Sequence, residues 1–233
     1  MTRLSMSFGQ RVDDGRELTL ADVIYRDLRK AIVRGEIRPN QRITEAQLGI
    51  EMKVSRTPIR EVLQRLANDG LVISLRRRGW QVHEHTAGEI REIFESRAAL
   101  ESYAARLAAA RVTPEQLEVI QRTLGERGSG MMGNARHDLV ELNDRFHDSV
   151  TDAGGNTLLA ELVRRSRLYH FNYQLAALYS KKALAQSHTE HQQLVRALRD
   201  HDPDAAADAV RRHVESALET VRILRTSPAY AED

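Results

Sequence analysis

The stretch VSRTPIREVLQRL, residues 54–66, has the pattern of a helix with one apolar and one polar face. Ser55 or Thr57 can cap its N-terminus, and Pro58 is tolerated in a first turn, where no backbone N–H is needed. The apolar residues recur at helical spacing and commit one face to a core: Ile59, Val62, Leu63 and Leu66. The other face carries side chains that hydrogen-bond bases and phosphates in a DNA major groove: Arg56, Thr57, Arg60 and Gln64. Taken alone, the pattern also fits an ordinary amphipathic helix whose charged face is solvated.

The segments around this stretch favour DNA binding over that second interpretation. Residues 44–53 predict a short helix, so residues 44–66 read as a helix-turn-helix whose second helix enters DNA. Downstream, residues 71–75 and 80–83 are predicted as two strands around a tip of three arginines and a glycine. A basic hairpin of this kind suits phosphates or a minor groove. Upstream, residues 20–33 predict one more helix, and a short edge strand is expected near Ile43.

This head resembles the winged-helix signature of the GntR superfamily of bacterial regulators over about residues 20–84. The resemblance is carried by residues 55–63, by Gly70-Leu71-Val72 and by Arg78-Gly79. It implies that the second helix reads the operator, that the wing tip lies in the minor groove, and that the edge strand pairs with the wing. The residues predicted to bind DNA are Arg56, Thr57, Arg60, Gln64, Arg77, Arg78 and Gly79.

Charge and composition separate this head from the rest of the chain. Residues 18–84 contain 13 Lys and Arg against 8 Asp and Glu, a balance of +5, whereas the whole chain carries +2 and the remainder therefore −3. This distribution suits a DNA-binding module attached to a different kind of domain. The absence of cysteine excludes disulfides and thiolate metal sites. No apolar run approaches the ~20 residues of a membrane helix and no signal-peptide core is present, so we expect a cytoplasmic protein without a membrane partner.

Beyond residue 84, residues that typically begin or end helices recur, and sequence patterns typical of strands are nearly absent. Capping and proline patterns predict helices that begin near Thr86, Thr113, Ala135, Asn156, Ser187 and Asp202. We expect the second of these helices to end over Gly125 and Gly128-Ser129-Gly130, and the fourth to reach about Tyr179. The sequence therefore predicts a mainly α protein, in which an N-terminal winged helix-turn-helix is followed by an antiparallel all-α bundle of about six helices.

The predicted organisation has three parts. Residues 1–17 are expected to form a flexible N-terminal arm, residues 18–84 the winged helix-turn-helix, and residues 85–228 the helical bundle. The bundle resembles the FCD ligand-sensing domain of the FadR-like branch of the same superfamily, which implies effector binding and dimerisation. The resemblance is carried by residues 97–101, 143–147, 153–156, 190–191, 197–198 and 212–213.

Three histidines of the bundle are predicted to meet. Asn143 and His147 are four residues apart and share one helix face. His191 lies ten residues before the turn near His201 and His213 twelve after it, so both stand ~15–18 Å from the turn on adjacent antiparallel helices. Imidazole nitrogens suit zinc, nickel, iron or copper, and the four residues predict a site for one divalent transition metal, with zinc or nickel preferred. The alternative is a metal-free core in which each histidine is satisfied by a neighbour.

One position of this site departs from the family pattern. Many members place an aspartate where Asn143 stands in this sequence. Asparagine offers only a neutral carbonyl oxygen, so we expect weaker metal binding and a cation that is less neutralised. Such a site favours an anionic ligand that replaces water on the metal.

A charged pair also falls on the core stripe of the first bundle helix. Arg97 and Glu101 are four residues apart, among apolar residues of that stripe. They are either an ordinary surface salt bridge or part of a polar cavity, in which Arg97 clamps an acidic effector. Four further residues are candidates for the walls of that cavity: Tyr169, His170, Asn172 and Tyr173.

The sequence as a whole predicts a ligand-responsive transcription factor that is not an enzyme. We expect a homodimer that binds a palindromic double-stranded operator, and a repressor released by a small carboxylate bound at or near the metal. One alternative is a metal-dependent enzyme built on the three histidines, for which Glu101 and Asp144 are the nearby candidates for a general base. The other alternative is a DNA-binding protein with an inert dimerisation body.

Overall fold

The computed structural model describes residues 12–13, 16–76, 78–130, 136–167 and 179–225. These residues form two compact units, one that ends at Glu84 and one that begins at His85. Most of the predicted N-terminal arm lies outside the described residues, as do Arg77, Tyr169, His170, Asn172 and Tyr173.

A short hairpin lies in the predicted arm, where no regular structure was expected. Strand β1 (Val12–Asp13) pairs antiparallel with strand β2 (Arg16–Glu17). The sequence between them is Asp14-Gly15, a dipeptide typical of two-residue hairpin turns. The flexible arm remains a prediction for the other residues of this segment.

Three helices form the first unit, as the sequence predicted. They are α1 (Leu20–Val33), α2 (Glu45–Glu51) and α3 (Arg56–Asn68). Thr19 closes a capping box on α1, and the Thr44 side chain accepts a hydrogen bond from the Gln47 N–H at the start of α2. Ser55 occupies the N-cap position of α3, but its hydroxyl makes no capping hydrogen bond, so the expected cap is present in position only.

A three-stranded antiparallel sheet completes this unit and forms the wing. Its strands are β3 (Arg42–Ile43), β4 (Val72–Leu75) and β5 (Gly79–Val82), in the order β3-β5-β4. Leu75 pairs with Gly79 across the hairpin, and Ile43 pairs with Trp80. The pairing of the edge strand with the wing, which the family resemblance implied, is confirmed.

The apolar face of α3 forms the centre of the first core. Ile59, Val62, Leu63 and Leu66 are all fully buried. They pack with apolar residues of α1, α2 and the sheet, among them Ile24, Leu28, Ile32, Leu48, Leu71 and Val82. Since the sheet and α1 cover this face, only the polar face of α3 is left for other contacts.

The second unit is helical throughout its described part. It comprises α4 (Ala87–Arg111), α5 (Pro114–Gly130), α6 (Arg136–Ala153), α7 (Thr157–Ser166), α8 (Lys181–Arg199) and α9 (Pro203–Arg225). Helix α4 packs against α6, α7, α8 and α9, so it provides one wall for most of the bundle interior. Among the helices described, none combines the length and the apolar character needed to cross a bilayer.

Most of the predicted helix starts in this unit are confirmed. Thr86 and Glu89 form a capping box on α4, and Asn156 caps α7 by accepting from the Leu159 N–H at 3.0 Å. Asp202 accepts from two backbone N–H groups at the start of α9. Short polar side chains of this kind satisfy the backbone donors that the first turn of a helix leaves without partners.

Two helix boundaries were predicted wrongly, and a third lies at the far end of its predicted range. The pattern at residues 187–190 lies inside α8, which begins six residues earlier and is capped by Ser180, because the helix-forming residues between them extend the helix upstream. Helix α5 continues through Gly125 and ends at Gly130, since packing against α6 and α8 overrides the low helix propensity of Gly125. Helix α7 ends at Ser166 instead of reaching Tyr179, and Arg167 at its end binds across the bundle.

We predict that Gly79→Ala destabilises the first unit more than Gly70→Ala does. Both glycines have positive φ, +86° and +75°, but a Cβ at Gly79 would lie 2.8 Å from the Ile43 carbonyl oxygen, whereas Gly70 has open space. The left-handed backbone alone costs about 1–2 kcal/mol for a residue with a Cβ, and the clash at Gly79 adds to this. Urea unfolding followed by the fluorescence of Trp80, the only tryptophan, measures this unit. Equal losses of stability in the two variants would contradict the proposed close approach.

Candidate functional site

The polar face of α3 presents every residue that the sequence assigned to it. Arg56, Thr57, Arg60 and Gln64 are all exposed on this one helix. On the wing, Arg78 is exposed and Gly79 is partly buried, while Arg77 lies outside the described residues. The backbone geometry of Gly79 gives it a structural role that is independent of any DNA contact. The helix and the wing tip together offer hydrogen-bond donors of the types that bind bases and phosphates.

Arg60 is held by a carboxylate that the sequence analysis did not identify. Its Nε and Nη2 donate to Glu45, at 3.0 Å to Oε1 and 2.8 Å to Oε2. The hydrogen bonds and charge of Arg60 hold the pKa of Glu45 below its usual value. Glu45 begins α2, so this ion pair joins the two helices of the helix-turn-helix. It fixes one edge of the guanidinium and leaves Nη1 directed away from the pair, which suits recognition of an outside acceptor.

The three predicted histidines meet inside the second unit. His147 of α6, His191 of α8 and His213 of α9 are all buried. The Nε2 of His191 lies 3.0 Å from that of His147 and 3.2 Å from that of His213. The matching heights that the sequence predicted from the turn near His201 are therefore confirmed.

Two carboxylates lie against the outer nitrogens of this cluster. His213 Nδ1 is 2.7 Å from Glu190 Oε2, and His147 Nδ1 is 3.8 Å from Glu101 Oε2. A proton on Nδ1, facing a carboxylate, leaves the Nε2 lone pair directed at the centre of the cluster. The hydrogen bond and charge of His213 hold the pKa of Glu190 down even though burial opposes this.

The cluster could hold a transition metal ion. Two nitrogens that each lie about 2.1 Å from one ion are roughly 3.0–3.4 Å apart at octahedral or tetrahedral angles, and the separations of His191 from His147 and from His213 fall in this range, while the ligand atoms of all three lie within 4.8 Å of one another. Hydrogen bonds among the three histidines cannot satisfy all three Nε2 atoms, because the single Nε2–H of His191 can donate to only one neighbour at a time. Among the described residues, His147, His191 and His213 form the only group of three or more His, Asp or Glu side chains that lie close enough together to bind one metal ion.

A buried ionic network borders the histidines. Arg97 Nε donates to Glu101 Oε1 at 2.8 Å, and Arg167 Nη2 donates to Glu101 Oε2 at 3.0 Å. The side chains of Arg97 and Glu101 are only 9% and 2% exposed, so the pair is not a surface salt bridge. Burial opposes the charge of Glu101, but the charges and hydrogen bonds of Arg167 and Arg97 prevail and lower its pKa to about 2. Arg167 was not predicted, since nothing in the local sequence pattern shows that it turns into the bundle.

A cavity of about 130 Å³ lies beside the network and the histidines. Arg97, Asn143, Asp144, Glu190 and His213 line it, together with Phe94, Leu139, Val140, Arg167, Tyr179, Ala183, Leu184, Gln186, Ser187, Ser216, Ala217 and Thr220. Of the two predicted effector-binding residues, Arg97 faces the cavity, whereas Glu101 lies behind it and holds both arginines. Asn143, one helical turn before His147, lines the cavity, as does His213.

Asp144 is a second charged group in the lining. Burial raises its pKa to about 6, with the charge of Arg167 opposing the shift and that of Asp148 adding to it. This value leaves most of the carboxylate ionised at neutral pH. The sequence singled out Asp144 only as a candidate base, because its position beside a cavity depends on the packing of α6 against other helices.

We predict that Glu101→Gln destabilises the second unit by about 3 kcal/mol at neutral pH, because it leaves two buried arginines without their counter-charge. Since the pKa of Glu101 is lowered to about 2, its contribution is present above pH ~4.5 and is lost as the pH falls toward 2. The variant should therefore lose less stability on acidification than the wild type does. Chemical unfolding followed by far-UV circular dichroism between pH 7 and pH 3 measures both effects.

Glu95→Gln is the matched control. Glu95 pairs with Arg91 at the same i,i+4 spacing on the same helix, but both side chains are 65% exposed. Its loss should cost no more than about 0.5 kcal/mol. Equal effects at the two positions would show that burial of Glu101 does not strengthen its ion pairs.

Comparisons with known proteins agree with this architecture. Residues 20–82 match the family model described as bacterial regulatory proteins, gntR family, and residues 92–216 match the FCD domain. The HTH-type transcriptional repressor RspR of Escherichia coli is 29% identical over 209 residues, which are 87% of this chain and 89% of RspR. The HTH-type transcriptional regulator YdhC of Bacillus subtilis is 33% identical over 149 residues, 63% of this chain and 66% of YdhC.

A solved structure shares the fold. The E. coli protein McbR/YncC superposes with a TM-score of 0.77 at 20% identity, over 90% of this chain and all of that one. Both relatives are named as transcriptional regulators. With a matching head, a matching helical domain and the shared fold, this chain belongs to the GntR family of bacterial regulatory proteins and carries an FCD domain.

Proposed function

We propose that this transcriptional regulator is a repressor that releases its operator when a small carboxylate binds in its FCD domain. In this proposal residues 18–84 bind DNA, residues 85–228 bind the effector and form a homodimer, and residues 1–17 are an N-terminal arm. The observation that carries it is the cavity lined by Arg97 beside the three histidines, since an inert dimerisation body does not need buried charges around a cavity. RspR is named as a transcriptional repressor, which supports the proposed direction of regulation.

The DNA-binding part of the proposal rests on the exposed face of α3 and on the wing. Arg56, Thr57, Arg60 and Gln64 would face base edges and neighbouring phosphates in the major groove. The wing residues Arg77, Arg78 and Gly79 would lie at the minor groove. Glu45 positions Arg60 for this role through the two hydrogen bonds of the ion pair.

We predict that Arg60→Ala lowers specific operator affinity by roughly one to two orders of magnitude and relaxes the preference at one base pair. Glu45→Gln should weaken the same preference, because it removes the charge that fixes the guanidinium. Arg78→Ala is the comparison variant: it should weaken binding to all sequences alike and flatten the salt dependence. Selection of DNA sites from a random pool and salt titrations measure these effects. An unchanged site motif in Arg60→Ala would contradict the orientation of α3.

The dimer is supported by exposed apolar side chains on two helices that pack together. Tyr103 of α4 is 54% exposed, and Leu158 and Leu162 of α7 are 67% and 43% exposed. A dimer would cover this surface and place two heads on the two halves of a palindrome. One head alone offers too little contact to select a single genomic site.

We predict that Leu158→Glu combined with Leu162→Glu converts the dimer into a monomer at micromolar concentration, because burying two carboxylates at an apolar interface is unfavourable. Val119→Glu on α5, at a side chain that is 43% exposed, is the control and should leave the dimer intact. Sedimentation velocity and operator affinity are the measurements. A wild-type monomer with full operator affinity would exclude the dimer.

We also propose that His147, His191 and His213 hold one zinc or nickel ion, with Asn143 near the fourth position. The separations of the Nε2 atoms and the carboxylates on the outer nitrogens support this ligand set. When bound, the ion supplies a positive charge and an open position for a carboxylate oxygen. The neutral Asn143 leaves that charge uncompensated, which favours an anionic effector.

We predict that His191→Ala loses the metal and the effector response while it retains operator binding. His188→Ala is the matched control, because His188 lies on the same helix but outside the cluster. Asn143→Asp should hold the metal more tightly. Elemental analysis of protein purified without a chelator or a metal-affinity tag measures occupancy. If the wild type neither contains metal nor takes up added zinc or nickel, the metal site does not exist.

A further inference from the structure

We propose that the cavity of the FCD domain binds a small zwitterion of the α-amino acid class. In this assignment Arg97 binds the carboxylate of the ligand and Asp144 binds its ammonium group. The inference rests on the proposed effector role of the cavity and makes the chemistry of the effector more specific.

Arg97 supplies the site for the carboxylate. Its Nε donates to Glu101, and its guanidinium lies 4.8 Å from the centre of the Phe94 ring. Within the described residues, its two terminal nitrogens have no hydrogen-bond acceptor, and Arg97 lines the cavity. Glu101 thus binds the Nε edge of the guanidinium and the Phe94 ring packs against its face, while the two terminal nitrogens, Nη1 and Nη2, are left to bind a planar anion such as a carboxylate.

Asp144 supplies the site for the cation. Its carboxylate lines the same cavity from α6 and makes no hydrogen bond or ion pair with any described residue. Asp144 is partly buried, and a carboxylate that loses water contacts without gaining hydrogen-bond donors is unfavourable even with the charges of Arg167 and Arg97 nearby. A ligand ammonium provides up to three donors and a compensating charge.

The two charged groups are not in direct contact. The charge of Arg97 acts on Asp144 at a distance and lowers its pKa, but no ion pair joins them, and Arg97 is held instead by Glu101 on its own helix. Arg167, the other nearby cation, binds Glu101 at 3.0 Å and lies 3.6 Å from Asp148. A positive and a negative group therefore face one cavity without contact, an arrangement that a dipolar ligand can bridge.

Charge balance separates a zwitterion from a simple carboxylate. Without a bound metal, Arg97, Arg164 and Arg167 stand against four carboxylates, Glu101, Asp144, Asp148 and Glu190, a formal balance of −1. A simple carboxylate adds a negative charge to the cavity and brings no cation to Asp144, whereas a zwitterion supplies its own ammonium group there. The volume of about 130 Å³ is close to the roughly 150 Å³ of a cavity that accommodates benzene, so the ligand is small.

The test compares matched ligands on the full-length protein by isothermal titration calorimetry. The probes are L-alanine, L-lactate and propionate, then L-valine, 2-hydroxyisovalerate and isovalerate, which differ only in the ammonium, hydroxyl or hydrogen at the second carbon. The wild type should bind an amino acid at least roughly tenfold more tightly than the matched hydroxy acid and the plain carboxylate.

Two variants and a control assign the groups. Asp144→Asn should remove the preference for the amino acid and leave or improve binding of the plain carboxylate, whereas Arg97→Gln should weaken all three ligands of a set. Asp152→Asn is the control, because Asp152 lies on the same helix, is exposed and pairs with Arg164. Circular dichroism and metal content, both unchanged in Asp144→Asn, exclude misfolding and loss of the neighbouring histidine site.

The outcomes distinguish this inference from the proposed function. Tight binding of plain carboxylates with no preference for the amino acid, or a preference that survives in Asp144→Asn, would overturn the zwitterion while the carboxylate effector stands. If none of the probes nor a wider panel of small carboxylates binds or releases operator DNA, the effector role of the cavity fails as well.

Discussion

Glu101 places a negative charge in the interior of the helical domain, and the arrangement around it depends on that charge. The carboxylate binds Arg97 of its own helix and Arg167 at the end of α7, and it lies 3.8 Å from the imidazole of His147 on α6. A buried charge is tolerated only where it is paired and hydrogen-bonded, so these contacts constrain three helices together. The side of Arg97 that Glu101 does not occupy faces the cavity.

The cavity and the histidine cluster share the same supporting carboxylates. Glu190 lines the cavity and binds the outer nitrogen of His213, while Glu101 holds the arginine that lines the cavity and lies against the outer nitrogen of His147. Groups of this kind orient imidazoles toward a common centre and raise their strength as ligands. A ligand that enters the cavity therefore meets polar groups whose positions are already fixed, which lowers the entropy lost on binding.

In the winged helix-turn-helix, an ion pair again fixes the position of a charged side chain, here at the protein surface. Arg60 is a long side chain with many rotamers, but its ion pair with Glu45 restricts it in the free protein. Because the pair is exposed, it contributes little to the stability of the fold. Its main effect is to fix the direction in which the Arg60 guanidinium points. The apolar face of α3, which is fully buried, gives rigid support to the proposed recognition surface.

Local patterns in the sequence determined most of the secondary structure of this protein. The faces of α3, the caps of α4, α7 and α9 and the wing hairpin follow from helical and strand periodicity and from short-range hydrogen bonds. These features depend on residues within a few positions of one another, and a linear sequence shows them directly.

Only the tertiary structure decided which charged groups became buried and which partners they found. Arg167 turns toward Glu101, 66 positions away, and Asp144 comes to line a cavity because of how α6 packs in the bundle. The same holds for the Glu45–Arg60 pair and for the early start of α8 at Lys181, where helix propensity allowed more than one boundary. Periodicity identifies the face on which a side chain lies, but the partner across the interior depends on the packing of whole helices, which no short stretch of sequence contains.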